Sequence, residues 1–216
     1  MQKVHHELLQ DYYKEFVKED RVTYLKCGVD TKKFVPVSKE KTDALKEKYG
    51  FDNRPVVLHV GHLKAGRNVG ELAKIDEHYQ ALLVTSTRFK ESQESALKEE
   101  LLKHPNIKIM DDYIENIEEI YQLCDVYFFP VKESGNCIDV PLSVMEAAAC
   151  NKPVITTDYG EMKELINKDG FYLIREIEKN PLNELIENIL DKKSYNTRET
   201  ACEYDWDNAV ERLCKL

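Results

Sequence analysis

The sequence lacks several features that mark large classes of protein. No run of apolar residues approaches the roughly 18 that a membrane-spanning helix needs, and the N-terminus, MQKVHHELLQDYYKEF, has no apolar stretch of the kind found in signal peptides. The six cysteines form no Cys-x-x-Cys pair, so we interpret them as reduced thiols rather than as a zinc site or a disulfide framework. These absences predict a cytoplasmic protein.

Positive charge is also scarce. The chain has 31 Lys and Arg against 40 Asp and Glu, a formal net charge of −9. A nucleic-acid-binding protein needs a basic face to neutralise phosphates, so this balance argues against that class. A small local basic pocket stays open and would stand out electrostatically. With 216 residues, of which 42% are hydrophobic, the chain is long enough for one large domain with or without appendages.

The pattern that the sequence does have is alternation between strands and helices. Apolar runs predict six strands, at 55–61, 81–87, 106–110, 125–130, 153–158 and 170–174. Helical spacing of apolar residues falls between them. This alternation predicts an α/β fold, a Rossmann-like doubly wound parallel sheet, in which ligands bind outside the carboxyl ends of the strands where the strand order reverses.

Four further elements are predicted outside or between these units. An apolar stripe predicts a helix over 2–19, and a short strand follows at 21–25. The spacing also predicts helices over 68–79 and over 205–216. No internal repeat or low-complexity segment is present.

The loop after the first of these six strands contains two glycines and several cationic side chains. Gly61 allows a tight turn and close approach to a ligand, and Arg67 can donate a fork of hydrogen bonds to phosphate oxygens. These letters alone leave two interpretations, a turn with solvated charges or a loop that binds an anion. The loop is neither a Walker motif nor Gly-x-Gly-x-x-Gly, which argues against a nucleotide-dependent oxidoreductase.

A single carboxylate lies among small and apolar residues in the helix that follows the 125–130 strand. Glu146 is surrounded by Val144, Met145 and the alanines 147–149. A buried carboxylate without a partner is unfavourable or takes up a proton. Glu146 therefore either emerges at the surface, or caps a neighbouring group, or accepts hydrogen bonds from a pair of ligand hydroxyls.

Five segments in order resemble a known family. They are GVDTKKF (28–34), VLHVGHLKAGRN (57–68), IYQLCDVYFFP (120–130), PLSVMEAAACNKPVITTDYGEMKELI (141–166) and YDWDNAVERL (204–213). Together they resemble the C-terminal, nucleotide-sugar-binding half of family-four glycosyltransferases (glycosyl transferases group 1), which have the GT-B fold. The resemblance spans roughly residues 22 to 216, and its most specific part is 141–158.

The resemblance implies a site for the donor's diphosphate. In the family, Gly-Arg follows the strand and a Lys comes five residues after the Arg. Here Gly61 matches, His62 replaces the Arg and Arg67 occupies the Lys position. Because an imidazole has an ordinary pKa of about 6.5, His62 is only partly charged at neutral pH.

The family's Glu-x7-Glu motif implies further residues. Its second Glu is Glu146, which the resemblance makes the ribose-binding carboxylate. Its first Glu falls on Ile138, so we expect Asp139 to face the donor sugar, with Glu133 as the alternative. Arg67 and Asp139 are the predicted catalytic residues.

The remaining predicted contacts lie on two loops. Backbone amides around Ser143 and Val144 are expected at the phosphate and ribose, and Tyr113 belongs to the loop expected near the nucleotide base. Neighbouring Asp111 and Asp112 are not interpreted as a metal site, because the fold class is metal-independent and adjacent carboxylates on a strand end point apart. The resemblance thus implies no cofactor and no metal, and makes a UDP-, GDP- or ADP-sugar the donor.

The resemblance also implies that a domain is missing. We assign residues 1–26 to a remnant of an N-terminal domain or to a docking helix and strand, and residues 27–216 to the nucleotide-sugar-binding domain. An N-terminal acceptor domain, in cis or in trans, is then needed for transfer, which the family carries out with retention. Peripheral membrane contact stays open. The alternative is a non-catalytic partner or scaffold subunit that keeps the fold without efficient donor binding.

Overall fold

Branched and aromatic residues form six short strands. In the computed structural model, which describes residues 15, 16, 18, 28–85, 92–132, 135–192 and 194–215, these strands make one parallel sheet. They are β1 Val56–Val60, β2 Gln80–Val84, β3 Ile107–Met110, β4 Val126–Phe129, β5 Val154–Thr156 and β6 Phe171–Leu173. The strand order is β3-β2-β1-β4-β5-β6. The predicted α/β, doubly wound parallel sheet is confirmed.

Eight α-helices connect and flank the strands in the described part of the chain. They are α1 Lys39–Lys48, α2 Ser92–Leu101, α3 Ile117–Leu123, α4 Leu142–Ala149, α5 Met162–Leu165, α6 Lys179–Asp191, α7 Thr197–Cys202 and α8 Trp206–Cys214. Side chains cap several of them: Ser38 accepts a hydrogen bond from the Lys41 amide, and Asp205 accepts one from the Asp207 amide. None of the helices among the described residues is long and apolar enough to cross a membrane.

The core has two layers, one on each face of the sheet. Leu58, Leu82 and Tyr127 belong to one buried cluster, while Val57 and Phe128 belong to the other. Neighbouring residues of a strand point to opposite faces, so continuous apolar strands are covered on both sides. This arrangement leaves the ends of the strands as the places where a ligand can bind.

The prediction of a helix over the whole of 68–79 was wrong. Within that range the structure has one short 3-10 helix, Val69–Lys74, and a second, Ala65–Arg67, lies just before it. They are separated by Asn68, whose φ of 54° is left-handed and interrupts helical hydrogen bonding. The Asn68 side chain instead donates to the carbonyl of Pro130, 3.1 Å away, which ties this loop to the end of β4.

The beginning and end of the main described body lie together. The amide of Val29 donates to the carbonyl of Tyr204 at 2.7 Å, and the amide of Trp206 donates to Val29 at 3.2 Å. The Trp206 ring covers Gly28 so closely that a side chain at that position has no room. The predicted helix over 2–19, the strand over 21–25 and the domain boundary at 26 lie outside the described residues, apart from three isolated positions.

Candidate functional site

A cavity of about 480 Å³ lies at the carboxyl ends of β1 and β2, next to the start of α4. β1 and β4 are adjacent, and the chain winds outward from them in both directions, so the strand order reverses there. This is where doubly wound sheets bind ligands. The residues that line the cavity include Gly61, His62, Arg67, Asp111, Tyr113 and Ser143.

Gly61 directly follows β1 and allows a ligand to approach the backbone closely. Its amide donates to the carbonyl of Val84 at 2.9 Å, which keeps it on the sheet. A Cβ at this position would lie 2.8 Å from Nε2 of His59 and 2.9 Å from Nη1 of Arg67. Real Cβ contacts are longer, so only glycine fits without moving one of these groups.

Arg67 joins the two loops beside the cavity. Its Nε donates to the backbone carbonyl of Asn136 at 2.9 Å, and the Asn136 side chain packs directly on Gly66. Asn136 belongs to the loop after β4, so the loops after β1 and β4 are held together. Because Nε is used in this contact, the guanidinium keeps its Nη1 and Nη2 donors for other groups.

The loop after β4 is fixed at its other end by the segment after β5. The amide of Cys137 donates to the Tyr159 hydroxyl at 3.0 Å, and that hydroxyl donates back to the Cys137 carbonyl. The carbonyl of Asp139 accepts from the Glu161 amide at 3.1 Å and packs on Gly160. The loop is thus held by backbone contacts at three points between 136 and 139.

Glu146 is held by a buried tyrosine. The hydroxyl of Tyr121, which is fully buried, donates to Oε2 of Glu146 at 2.6 Å. Burial raises the pKa of Glu146, while the hydrogen bond from Tyr121 and the charge of Lys33 act in the opposite direction. The carboxylate is therefore oriented by a partner, and its second oxygen is available as an acceptor.

The other predicted residues divide between the cavity and its surroundings. His62 and Tyr113 are exposed, with 91% of Tyr113 accessible, and both line the cavity together with Ser143. Val144 is buried, and its amide donates to the Pro141 carbonyl at 3.0 Å. Within the part of the chain that the structure describes, Val144, Glu146 and Asp139 are not among the residues that line this cavity.

Two buried residues next to the cavity were missed by the sequence analysis. His59, near the carboxyl end of β1, and Thr85, just after β2, each carry a buried polar atom without a hydrogen bond. The signal was present for His59, because it is the one polar residue in the strand VVLHV. Tyr121, the partner of Glu146, was also missed, and 25 residues separate the two.

Asp111 forms an ion pair with Lys98. Over the described ranges, no group of three or more His, Cys, Asp or Glu residues is arranged to hold a metal ion. The predicted first-Glu alternative, Glu133, lies outside the described residues. Five of the cysteines are described, at 124, 137, 150, 202 and 214, and all five are free thiols.

Comparison with known proteins identifies the family. A family model described as "Glycosyl transferases group 1" matches residues 54–192. The matched range includes β1 to β6 and all the predicted site residues.

Three relatives illustrate the similarity. The chain is 25% identical over 215 residues to N,N'-diacetylbacillosaminyl-diphospho-undecaprenol alpha-1,3-N-acetylgalactosaminyltransferase of Campylobacter jejuni, covering 93% of the chain and 55% of that protein. It is 25% identical over 228 residues to a GDP-mannose-dependent monoacylated alpha-(1-6)-phosphatidylinositol monomannoside mannosyltransferase of Corynebacterium glutamicum, covering 96% and 59%. Among solved structures, Anabaena Alr3699/HepE in complex with UDP-glucose superposes with a TM-score of 0.77 at 19% identity, covering 97% of the chain and 62% of that structure.

Proposed function

The chain belongs to the glycosyl transferases group 1 family, and from this premise we propose that it is the donor-binding half of a glycosyltransferase. It binds a nucleotide-diphospho-sugar at the cavity beside β1. The observation that carries this proposal is the position of Arg67, whose guanidinium lies next to Gly61 on the cavity wall at the point where the strand order reverses. A diphosphate placed there receives hydrogen bonds from a cation that the loop after β4 already holds.

The rest of the donor extends from that point. Glu146, oriented by Tyr121, accepts hydrogen bonds from the ribose hydroxyls, and the exposed Tyr113 contacts the base. Asp139 faces the sugar, and amides at the start of α4 contact the phosphates. The relatives are consistent with this class of ligand, since one is named for its dependence on GDP-mannose and HepE was crystallised with UDP-glucose.

Transfer needs a second half. The chain spans little more than half the length of the curated relatives it matches. We infer that an N-terminal acceptor domain, in cis or in trans, closes over the donor and expels water, and that transfer proceeds with retention and without a metal ion. The chain alone is then expected to bind the donor and to transfer little sugar.

Calorimetric titration of the chain with UDP, GDP and ADP tests donor binding. We expect one of the three to bind at a single site, and Arg67→Ala to weaken it about ten-fold or more, because hydrogen bonds to charged groups contribute about 1.5–3 kcal/mol. Glu146→Gln keeps an acceptor for Tyr121 but loses the charge, and we expect a smaller loss.

Arg54→Ala is the matched control for these titrations. Arg54 lies at the opposite edge of the sheet and pairs with Asp52 at 2.7 Å, so its removal should leave nucleotide affinity unchanged. No binding of any of the three nucleotides at millimolar concentration would favour the scaffold interpretation instead. Equal losses in Arg54→Ala and Arg67→Ala would also count against the assigned site.

A further inference from the structure

His59 is a buried histidine in β1, two residues before Gly61 and the loop that contains Arg67. It is the fourth of the five residues of β1 and has no exposed surface, and it packs against the rings of Tyr127 and Phe129, whose centroids are 6.5 Å and 6.4 Å away. Its Nδ1 is 2.9 Å from the carbonyl oxygen of Phe128. A carbonyl only accepts, so Nδ1 carries the proton and donates. In the neutral ring, Nε2 is then an acceptor with a free lone pair.

Nε2 of His59 and the guanidinium of Arg67 both border the space beside the Cα of Gly61. Nε2 of His59 is 2.8 Å, and Nη1 of Arg67 2.9 Å, from the point that a Cβ of Gly61 would occupy. Burial, aided by the charge of Arg67, lowers the pKa of His59 to about 4, so the ring is neutral at physiological pH. A neutral acceptor therefore lies close to a guanidinium N–H donor.

Among the described residues, the buried side-chain atoms that have neither a hydrogen bond nor an ion pair lie close to the cavity. Throughout the described ranges, four buried side-chain atoms lack a hydrogen bond, and those of Glu71 and Glu118 form ion pairs with lysines. The remaining two are Oγ1 of Thr85, which lines the cavity, and Nε2 of His59, which lies close to Gly61 on the cavity wall. Buried polar groups are nearly always paired, so an acceptor left without a partner here is unusual.

We propose that His59 is a positioning residue for Arg67, and that its Nε2 accepts a hydrogen bond from Nη1 of Arg67 when a nucleoside diphosphate binds. This inference rests on the proposed function. The Nε of Arg67 is already held by Asn136, so a second contact at Nη1 fixes the plane of the guanidinium. The remaining N–H groups are then directed at the phosphate oxygens.

A pair of His59 variants separates positioning from packing. His59→Asn keeps a donor near the carbonyl of Phe128 and removes the acceptor at Nε2, whereas the longer side chain of His59→Gln reaches the Nε2 position. Titration with UDP, GDP and ADP identifies the tightest ligand, which is then used with every variant. We expect His59→Asn to weaken binding five- to ten-fold and His59→Gln to bind within about three-fold of the wild type. If the loss of nucleotide affinity in the two variants correlates with their melting temperatures, and not with the presence of an acceptor at the Nε2 position, the proposal is overturned.

The coupling to Arg67 is tested by repeating both substitutions in the Arg67→Ala background. Once Nη1 is gone, His59→Asn should change affinity less than two-fold. An equal loss in both backgrounds, or no loss in either, contradicts the proposal while leaving the donor-binding function intact. If Arg67→Ala itself leaves binding unchanged, the diphosphate site assigned to Arg67 fails as well, and if no nucleotide binds the wild type, the proposed function fails.

A second measurement needs no change at His59. Nitrogen NMR of the histidine rings reports whether Nε2 accepts a hydrogen bond. The Nε2 resonance of His59 should shift when the nucleoside diphosphate is added to the wild-type chain and should shift much less in Arg67→Ala. A resonance that does not move in the wild-type complex would refute the positioning role even if the Asn variant does not fold.

Discussion

The amino ends of the strands form one edge of the sheet, the amino edge, and their carboxyl ends form the other, the carboxyl edge. The buried polar groups described below are paired at the amino edge, whereas two at the carboxyl edge are not. At the amino edge, the Lys46 ammonium lies 2.6 Å from Asp125, and that carboxylate also accepts from the Val56 amide at 2.8 Å. The side chain of Asn106 donates to three backbone carbonyls there. At the carboxyl edge, Nε2 of His59 and Oγ1 of Thr85 have no hydrogen-bond partner.

Because of this difference, we expect the groups at the amino edge to contribute to folding stability and those at the carboxyl edge to contribute to ligand binding. Paired groups at the amino edge stabilise the fold, and breaking one of these pairs leaves a buried charge or dipole unsatisfied. The unpaired groups at the carboxyl edge do not gain that stabilisation and lie where a ligand is proposed to bind. Substitutions at the two edges should therefore change different measured quantities.

The largest effect is expected at Lys46. Lys46→Met leaves Asp125 without its cation, and only 6% of the Lys46 side chain is exposed. We expect the free energy of unfolding to fall by about 3 to 5 kcal/mol in urea titration, with nucleotide affinity unchanged at temperatures where the protein is folded. Lys39→Met, which breaks an exposed pair with Asp43, should cost less than about 0.5 kcal/mol. Similar losses of unfolding free energy in Lys46→Met and Lys39→Met would show that the buried pair does not stabilise the fold more than the exposed one.

The second effect is a pH dependence that arises from His59. Its pKa is about 4 in the folded chain and about 6.5 when unfolded, so the unfolded state binds a proton that the native state does not. The contribution of neutral His59 to the free energy of unfolding is therefore fully present above pH 6.5 and is lost as the pH falls towards 4. Relative to His59→Asn, the wild type should lose about 2 to 3 kcal/mol of unfolding free energy across that window. Parallel curves for the two proteins in chemical denaturation would contradict the assignment.

The third effect is on binding. Gly61→Val introduces a side chain into the space shared by His59 and Arg67, and we expect nucleotide affinity to fall about ten-fold or more by calorimetry. Gly70→Ala is the control, because its Cβ would meet Leu97 at an ordinary 3.5 Å. If the valine variant binds normally, the space beside Gly61 is not part of the site.

The smallest effect compares two buried threonines. Thr85→Val removes an unpaired hydroxyl and should be neutral or stabilising by up to about 1 kcal/mol. Thr42→Val removes a hydroxyl that donates to the Gln122 carbonyl at 3.2 Å and should destabilise by about 1 kcal/mol. Thermal unfolding of both variants measures the difference, and destabilisation of the same size in each would show that the Thr85 hydroxyl is as well satisfied as that of Thr42.

Sequence patterns predicted the strands well and the irregular loop poorly. Within the run 125–130, residues 126–129 are valine, tyrosine and two phenylalanines, a composition that favours a strand covered on both faces, and β4 spans these four residues. The helical spacing over 68–79 was misleading because Asn68 adopts a left-handed conformation and bonds to Pro130, a contact made across 62 residues. Local spacing carries no information about such tertiary contacts.

The same limit applies to the site. The family resemblance pointed to Gly61 and Arg67, and the structure brings both to one cavity wall. The partner of Glu146 could not be predicted, because it is a tyrosine in α3 that reads as an ordinary core residue. Asp139 remains a prediction, since it is not among the residues that line the cavity.

The chain contains one tryptophan, and its position makes it a natural optical probe. Trp206 is half-exposed and lies on Gly28, across the junction between α8 and the start of the main body. Its emission should therefore shift when α8 separates from Val29, whether or not the sheet has unfolded. Intrinsic fluorescence read alongside circular dichroism would thus distinguish detachment of the C-terminal helix from global unfolding without any added label.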